Sequence, residues 1–161
     1  MSKKTLHLLI DGADKLGKST VCQMLSRYYN IPIIKMPNMK EYIKKGSPEE
    51  FSKLFNETVI QFAEYDFILD RGFTSSLVYS KVFKRDFDLS YIDKIEQILK
   101  PEVHILIGQR FSIDDVYNVN EVNLIDKKFY DLAVMKGYHK IIVDNKSPIE
   151  ICQEIISSVQ E

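Results

Sequence analysis

Short runs of consecutive apolar residues alternate along this chain with longer stretches in which apolar residues return every three or four positions. The first pattern fits strands covered on both faces, and the second fits amphipathic helices packed against them. Residues 5–10 read as a buried strand that ends at Asp11 and Gly12. Residues 18–29 predict a helix with Val21, Leu25 and Tyr28 on one face. A second strand is predicted over 31–36, stopping at Pro37, and helices over 40–45 and 48–64. Residues 66–70 give a third strand and 74–84 a helix. The next helix, 90–99, has Ser90 placed to cap it and Asp93 in its first turn. Pro101 introduces a fourth strand at 103–107, followed by a helix over 120–135 and a fifth strand over 139–143. The last helix, 148–159, puts Ile149, Cys152, Ile155, Ile156 and Val159 on one side.

Strands that alternate with helices imply βαβ units. The expected fold is therefore α/β, a three-layer sandwich around a five-stranded parallel sheet. No linker interrupts the alternation, so residues 1–161 read as a single domain. Ligands of such sheets bind beyond the carboxyl ends of the strands. The motifs that carry chemistry here follow such ends.

Composition changes this picture little. A hydrophobic content of 45% and a charged content of 28% are ordinary for a globular chain. A net charge of -1 argues against a general polyanion binder, although a local basic patch remains compatible with it. Cys22 and Cys152 make neither a metal-ligand spacing nor a disulfide framework, so a reduced, cytoplasmic setting is expected. The apolar run 6–10 is too short for a signal peptide, and no stretch is long enough to span a bilayer.

The sharpest chemical signal is Gly12-Ala13-Asp14-Lys15-Leu16-Gly17-Lys18-Ser19, which fits G-x-x-x-x-G-K-S between a strand and a helix. Glycines let such a loop wrap phosphates with its backbone N–H groups, and the helix start adds a positive end. Gly12, Ala13, Asp14, Lys15, Gly17, Lys18, Ser19 and Thr20 are the expected ATP-binding residues. Lys18 is placed to reach the β and γ phosphates, and Ser19 to hold Mg2+. Asp11 either braces this loop or helps hold the metal.

A second signal is Asp70-Arg71 at the end of the third strand. A carboxylate there faces the phosphate loop and can hold magnesium or orient an acceptor. The neighbouring guanidinium can clamp an acceptor phosphate with two parallel hydrogen bonds.

With these residues in view, the chain resembles the thymidylate kinase family. Asp70, Arg71, Ser75, Ser76 and Tyr79 match that family's Asp-Arg-Tyr segment with its serines and Ala-Tyr, and the phosphate loop resembles its Gly-x-Asp-Arg-x-Gly-Lys-Ser form. Lys35-Met36-Pro37 resembles the family's Arg-Phe-Pro segment, and Lys100-Pro101-Glu102-Val103 its Pro-Asp lead into the fourth strand. Residues 142–150 resemble its last strand and the turn that follows. The resemblance implies that Asp14 approaches the acceptor sugar and that Lys15 stands in for an arginine. It places Lys35, Pro37, Arg71, Ser75 and Tyr79 with Asp14 along the acceptor. It also assigns Lys18, Asp70, Arg71, Lys15 and Arg110 to catalysis, with Ser19 and Asp70 at the metal. Four features depart from the family. The lid stretch 108–120 is short and carries only Arg110, the helical region before Asp70 is trimmed, Gly72 replaces an aromatic, and Lys15 lacks the guanidinium fork.

Other residues carry weaker signals. Phe55, Phe73 and Tyr79 can border a base or fill a core. Lys40, Lys44 and Lys45 read as a solvated helix face, and Asp114 and Asp115 in the short lid have no assigned part. His7, His104 and His139 lie in or beside apolar strands and are read as packed or edge histidines without chemistry. Three functions follow in order: a deoxynucleoside monophosphate kinase forming the diphosphate; a kinase acting on a hydroxyl of a nucleoside, or of a base or end in nucleic acid; and a nucleotide switch without an acceptor. The expected partners are ATP and a nucleotide- or nucleoside-type acceptor, with a nucleic-acid acceptor and a homodimer left open and no membrane involved.

Overall fold

Five strands pair in parallel in the order β2-β3-β1-β4-β5. They are β1 (His7–Gly12), β2 (Ile33–Lys35), β3 (Phe67–Asp70), β4 (Glu102–Ile107) and β5 (His139–Ile142). The computed structural model describes residues 5–13, 16–36, 48–85, 88–108 and 119–159. Within them lie the helices α1 (Lys18–Tyr29), α2 (Pro48–Val59), α3 (Phe73–Val82), α4 (Tyr91–Leu99), α5 (Val119–Lys136) and α6 (Pro148–Ser158), with a 3-10 turn at Ile60–Phe62. The predicted helix over 40–45 lies outside the described residues. Among the described residues, no helix is long and apolar enough to cross a membrane.

β1 is the central strand because both of its faces are covered. Leu8, Leu9 and Ile10 are fully buried, and each such side chain contributes about 1.5–3 kcal/mol by leaving water. Helices lie on both sides of the sheet. Helices α1 and α6 pack together, as do α3 and α5. Phe67, Phe73 and Phe129 are the bulkiest of the fully buried side chains in the core. With β2 and β3 on one side of β1 and β4 and β5 on the other, the winding reverses at β1. The reversal opens a crevice at the carboxyl ends of the strands.

The structure differs from the sequence expectation in several local details. Tyr28 does not join the core face of α1 but is 64% exposed, while Val21, Cys22 and Leu25 are buried and the neighbouring Tyr29 packs partly on the core. In α6, Ile149 is 58% exposed and Ile151 takes the core position. Ser90 has helical backbone angles and its side chain caps nothing; instead its N–H donates to Asp88 Oδ1 at 3.1 Å. The capping box that does exist is at Ser147 and Glu150, ahead of α6, with Pro148 in the first turn where its missing N–H costs nothing. β2 contracts to three residues, and the helix predicted over 48–64 gives way to the 3-10 turn after Val59.

Candidate active site

β1 leads directly into the phosphate loop, and two glycines shape it. Gly12 has φ +147°, and a Cβ there would stand 2.5 Å from the backbone oxygen of Leu106 on β4. Any side chain would therefore push the two central strands apart. Gly17 has φ +85°, and a Cβ on it would meet nothing within 4 Å, because it faces open space at the start of α1. Among the described residues no side chain caps that helix start, and its first turn holds no acidic residue. A helix opening left uncapped in this way offers its N–H groups to an anion. The Lys18 ammonium is buried over the loop and donates to the carbonyl oxygens of Gly12, at 3.0 Å, and of Ala13.

Asp11 holds the loop to the opposite helix. Its carboxylate is fully buried and accepts from the Gly12 N–H at 2.8 Å and from the Ser75 hydroxyl at 2.8 and 2.9 Å, as well as from the Thr74 hydroxyl. The Arg71 guanidinium lies 3.9 Å away. Of its two expected roles, the carboxylate therefore carries the bracing one, and α3 supplies the donors. Thr74 is part of this brace, and the sequence reading gave it no role. Its only signal in sequence is a hydroxyl next to Ser75, 63 positions from its partner.

The second cluster forms where β2 and β3 end beside α1. Asp70 is buried, and its Oδ2 accepts from the Ser19 hydroxyl at 3.1 Å. Lys35, paired with Asp70 across the strands, brings its ammonium to 3.4 Å from Ser19 Oγ. A hydroxyl and a carboxylate side by side are hard oxygen donors of the kind Mg2+ takes, so the residues present fit that ion. Cys22 lies beneath them. Burial, with the Asp70 carboxylate nearby, pushes its thiol well above the usual range, so it stays an inert, protonated group.

Arg71 follows in a left-handed conformation, φ 69°, while its N–H extends the sheet ladder to Ile10 O at 3.1 Å. A non-glycine residue held this way costs about 1–3 kcal/mol and is frequent at functional sites. Its Nη1 lies 3.4 Å from both Ser75 Oγ and Tyr79 OH, and the guanidinium lies 5.9 Å from the Tyr79 ring centre. These contacts fix the direction of the fork. Tyr79 itself is half-buried between Phe83 and Phe129. Next to Arg71, a Cβ on Gly72 would come within 3.0 Å of Leu9 Cδ1. The aromatic of this segment sits one place further on, at the fully buried Phe73. Phe55 packs partly against the core.

Lys18, Ser19, Lys35, Asp70, Arg71, Ser75 and Tyr79 are thus gathered beyond the carboxyl ends of β1, β2 and β3. Asp14, Lys15, Pro37 and Arg110, like Lys40, Lys44, Lys45, Asp114 and Asp115, lie outside the described residues. A further polar cluster had no signal beyond the i, i+4 spacing of Ser52 and Asn56. Buried Ser52 contacts the hydroxyls of Ser76 and, at 3.3 Å, Tyr91, and buried Asn56 donates to Ser52 O at 2.8 Å.

No protein-family model matches this chain, and no curated protein sequence matches it. Solved structures do. The YorR protein of Bacillus subtilis, solved in complex with phosphorylated GDP, is similar at 24% identity over 94% of each chain, with a TM-score of 0.71. Thymidylate kinase from Candida albicans is 17% identical over 98% of this chain and 92% of that one, with a TM-score of 0.64. Deoxyadenosine kinase from M. mycoides, with bound dCTP, is 16% identical over 96% of this chain and 100% of that one, also at 0.64. The strand order, the phosphate loop after β1 and these likenesses together identify the fold as that of the thymidylate kinase-like P-loop kinases.

Proposed function

We propose that this protein is an ATP-dependent phosphotransferase whose acceptor is a nucleoside monophosphate, in the manner of a thymidylate kinase. The observation that carries the reading is the convergence of Ser19, Lys35, Asp70 and Arg71 beside a phosphate loop of kinase type. A switch without an acceptor would also pair Asp70 with Ser19 to hold magnesium, but it has no use for an Arg71 fork oriented by Ser75 and Tyr79.

ATP phosphates bind along the loop N–H groups, and the Lys18 ammonium exchanges its carbonyl partners for phosphate oxygens. Magnesium, when bound by Ser19 and Asp70, supplies charge neutralisation on the phosphates. Arg71 takes the acceptor phosphate with its fork, oriented by Ser75 and Tyr79, and Lys35 adds positive charge from the side of β2. Transfer then requires in-line placement and charge compensation, with little covalent work from the protein. Residues 1–161 act as one kinase unit in this reading, with Asp14 and Lys15 on the loop and Pro37 beside the acceptor. In the same reading Arg110 would serve the phosphates from the lid, as the family resemblance implies.

A hydroxyl acceptor is the second reading, favoured by the deoxyadenosine kinase among the structural neighbours. The two readings give Asp70 different work. A monophosphate is already ionised at neutral pH, so Asp70 acts through the metal; Asp70→Asn then slows turnover, and raised magnesium restores part of it. A hydroxyl must lose its proton, and general-base help is worth about 10²–10⁴-fold. Turnover of Asp70→Asn over a magnesium series tests this. A loss of that size without metal rescue, on an acceptor lacking a phosphate, would overturn the monophosphate reading.

A further inference from the structure

The first residues of β4 and β5 bring together three side chains that the phosphate site does not use. His104 and His139 are direct cross-strand partners, and Glu102 precedes His104 by two, so all three project from one face of the sheet. Their ligand atoms all lie within 4.8 Å of one another. The two imidazoles are stacked, with centroids 4.5 Å apart and an angle of 11° between planes. His104 is fully buried, yet neither of its ring nitrogens has a hydrogen-bond partner among the described residues. Its Nε2 is 3.9 Å from Glu102 Oε2, beyond hydrogen-bond reach. Buried polar atoms in native proteins are nearly always satisfied, and one that is not calls for a reason.

A metal ion is that reason: we propose that Glu102, His104 and His139 form a binding site for a first-row transition dication, Zn2+ foremost. Two imidazoles and one carboxylate suit such an ion, with water completing a tetrahedron. Two donors around a tetrahedral Zn2+ stand about 3.4 Å apart, so Nε2 and the carboxylate need to close only slightly, while the exposed His139 ring has to turn out of the stack to aim its lone pair at the same ion. The exposed His139 and half-buried Glu102 give the ion a path from solvent. The phosphate loop follows the far, carboxyl end of β1, so this site serves the fold rather than the transfer. It would pin the edge strand β5 to β4.

The test uses tag-free protein of residues 1–161 stripped of metal by a chelator, then titrated with Zn2+ by calorimetry and with Co2+ by visible absorption. One equivalent should bind. Free Zn2+ about 100-fold above its Kd should raise the melting temperature by roughly 5–10 °C. His139→Ala removes an exposed ligand that the core does not need, and Glu102→Gln keeps the shape of the third donor. Each should weaken binding about tenfold or more and shrink the thermal shift. Absence of saturable Zn2+ binding in the wild type overturns the proposal, as does binding undiminished in both variants. Loss in His139→Ala alone overturns the part assigned to Glu102.

Discussion

Gly12 and Gly17 both have positive φ, and the structure predicts very different consequences for replacing them by alanine. At Gly12 the new Cβ meets Leu106 O at 2.5 Å, a backbone atom of a buried strand that cannot turn aside. The φ of +147° costs about 1–3 kcal/mol for a side-chain-bearing residue, and forcing two packed strands apart adds about 1–3 kcal/mol. Gly12→Ala should therefore lose about 2–6 kcal/mol. At Gly17 the Cβ points into open space, so only the left-handed φ is charged, at about 1–2 kcal/mol. At about 2–4 °C per kcal/mol for a chain of this size, the losses become roughly 4–24 °C for Gly12→Ala and 2–8 °C for Gly17→Ala. Thermal unfolding followed by circular dichroism, with urea midpoints beside it, measures both. Calorimetric ATP titration should show the opposite contrast for Gly17→Ala. That variant stays folded yet binds ATP weakly, because its methyl enters the space that phosphate oxygens need. Gly17→Ala losing as much stability as Gly12→Ala would refute the close approach of β1 to β4 on which the loop's geometry depends.

Two further outcomes follow from the site. Arg71→Lys should raise the acceptor KM by about tenfold or more while ATP affinity holds, since an ammonium cannot make two parallel hydrogen bonds to phosphate; a collapse of ATP binding with an unchanged acceptor KM would put Arg71 on the wrong substrate. Cys22 and Cys152 are both buried, and burial raises both thiols. Neither should react with a disulfide reagent at neutral pH in the native protein, and both should react in denaturant; rapid native labelling of Cys22 would contradict its placement under Asp70.

The apolar runs of β1, β3 and β4 were legible in the sequence because strands covered on both faces need no alternation. The phosphate loop was legible because its glycine spacing is a backbone requirement that local sequence must meet. What escaped was long-range. The choice between bracing and metal binding for Asp11 depended on Thr74 and Ser75, which reach it only once α3 docks. The register that pairs His104 with His139 is likewise invisible until β4 and β5 align. A helical repeat alone could not separate Tyr28 from Tyr29 or Ile149 from Ile151, because near the ends of α1 and α6 neighbouring helices decide which side is covered. Ser90 looked like a cap, but Asp88 provides the acceptor there, while the capping box at Ser147 and Glu150 passed unread.

The central claim is that the loop holding Lys18 transfers the γ-phosphate of ATP to an acceptor that already bears a phosphate. The most direct measurement is transfer of label from γ-labelled ATP to a panel of nucleoside monophosphates, nucleosides and DNA, for wild type and Lys18→Ala. The account predicts a labelled nucleoside diphosphate in the wild type and a loss of about 10²-fold or more in the variant, whose folding is unchanged. Label released only as inorganic phosphate whatever the acceptor, or Lys18→Ala turning over within tenfold of wild type, would contradict it.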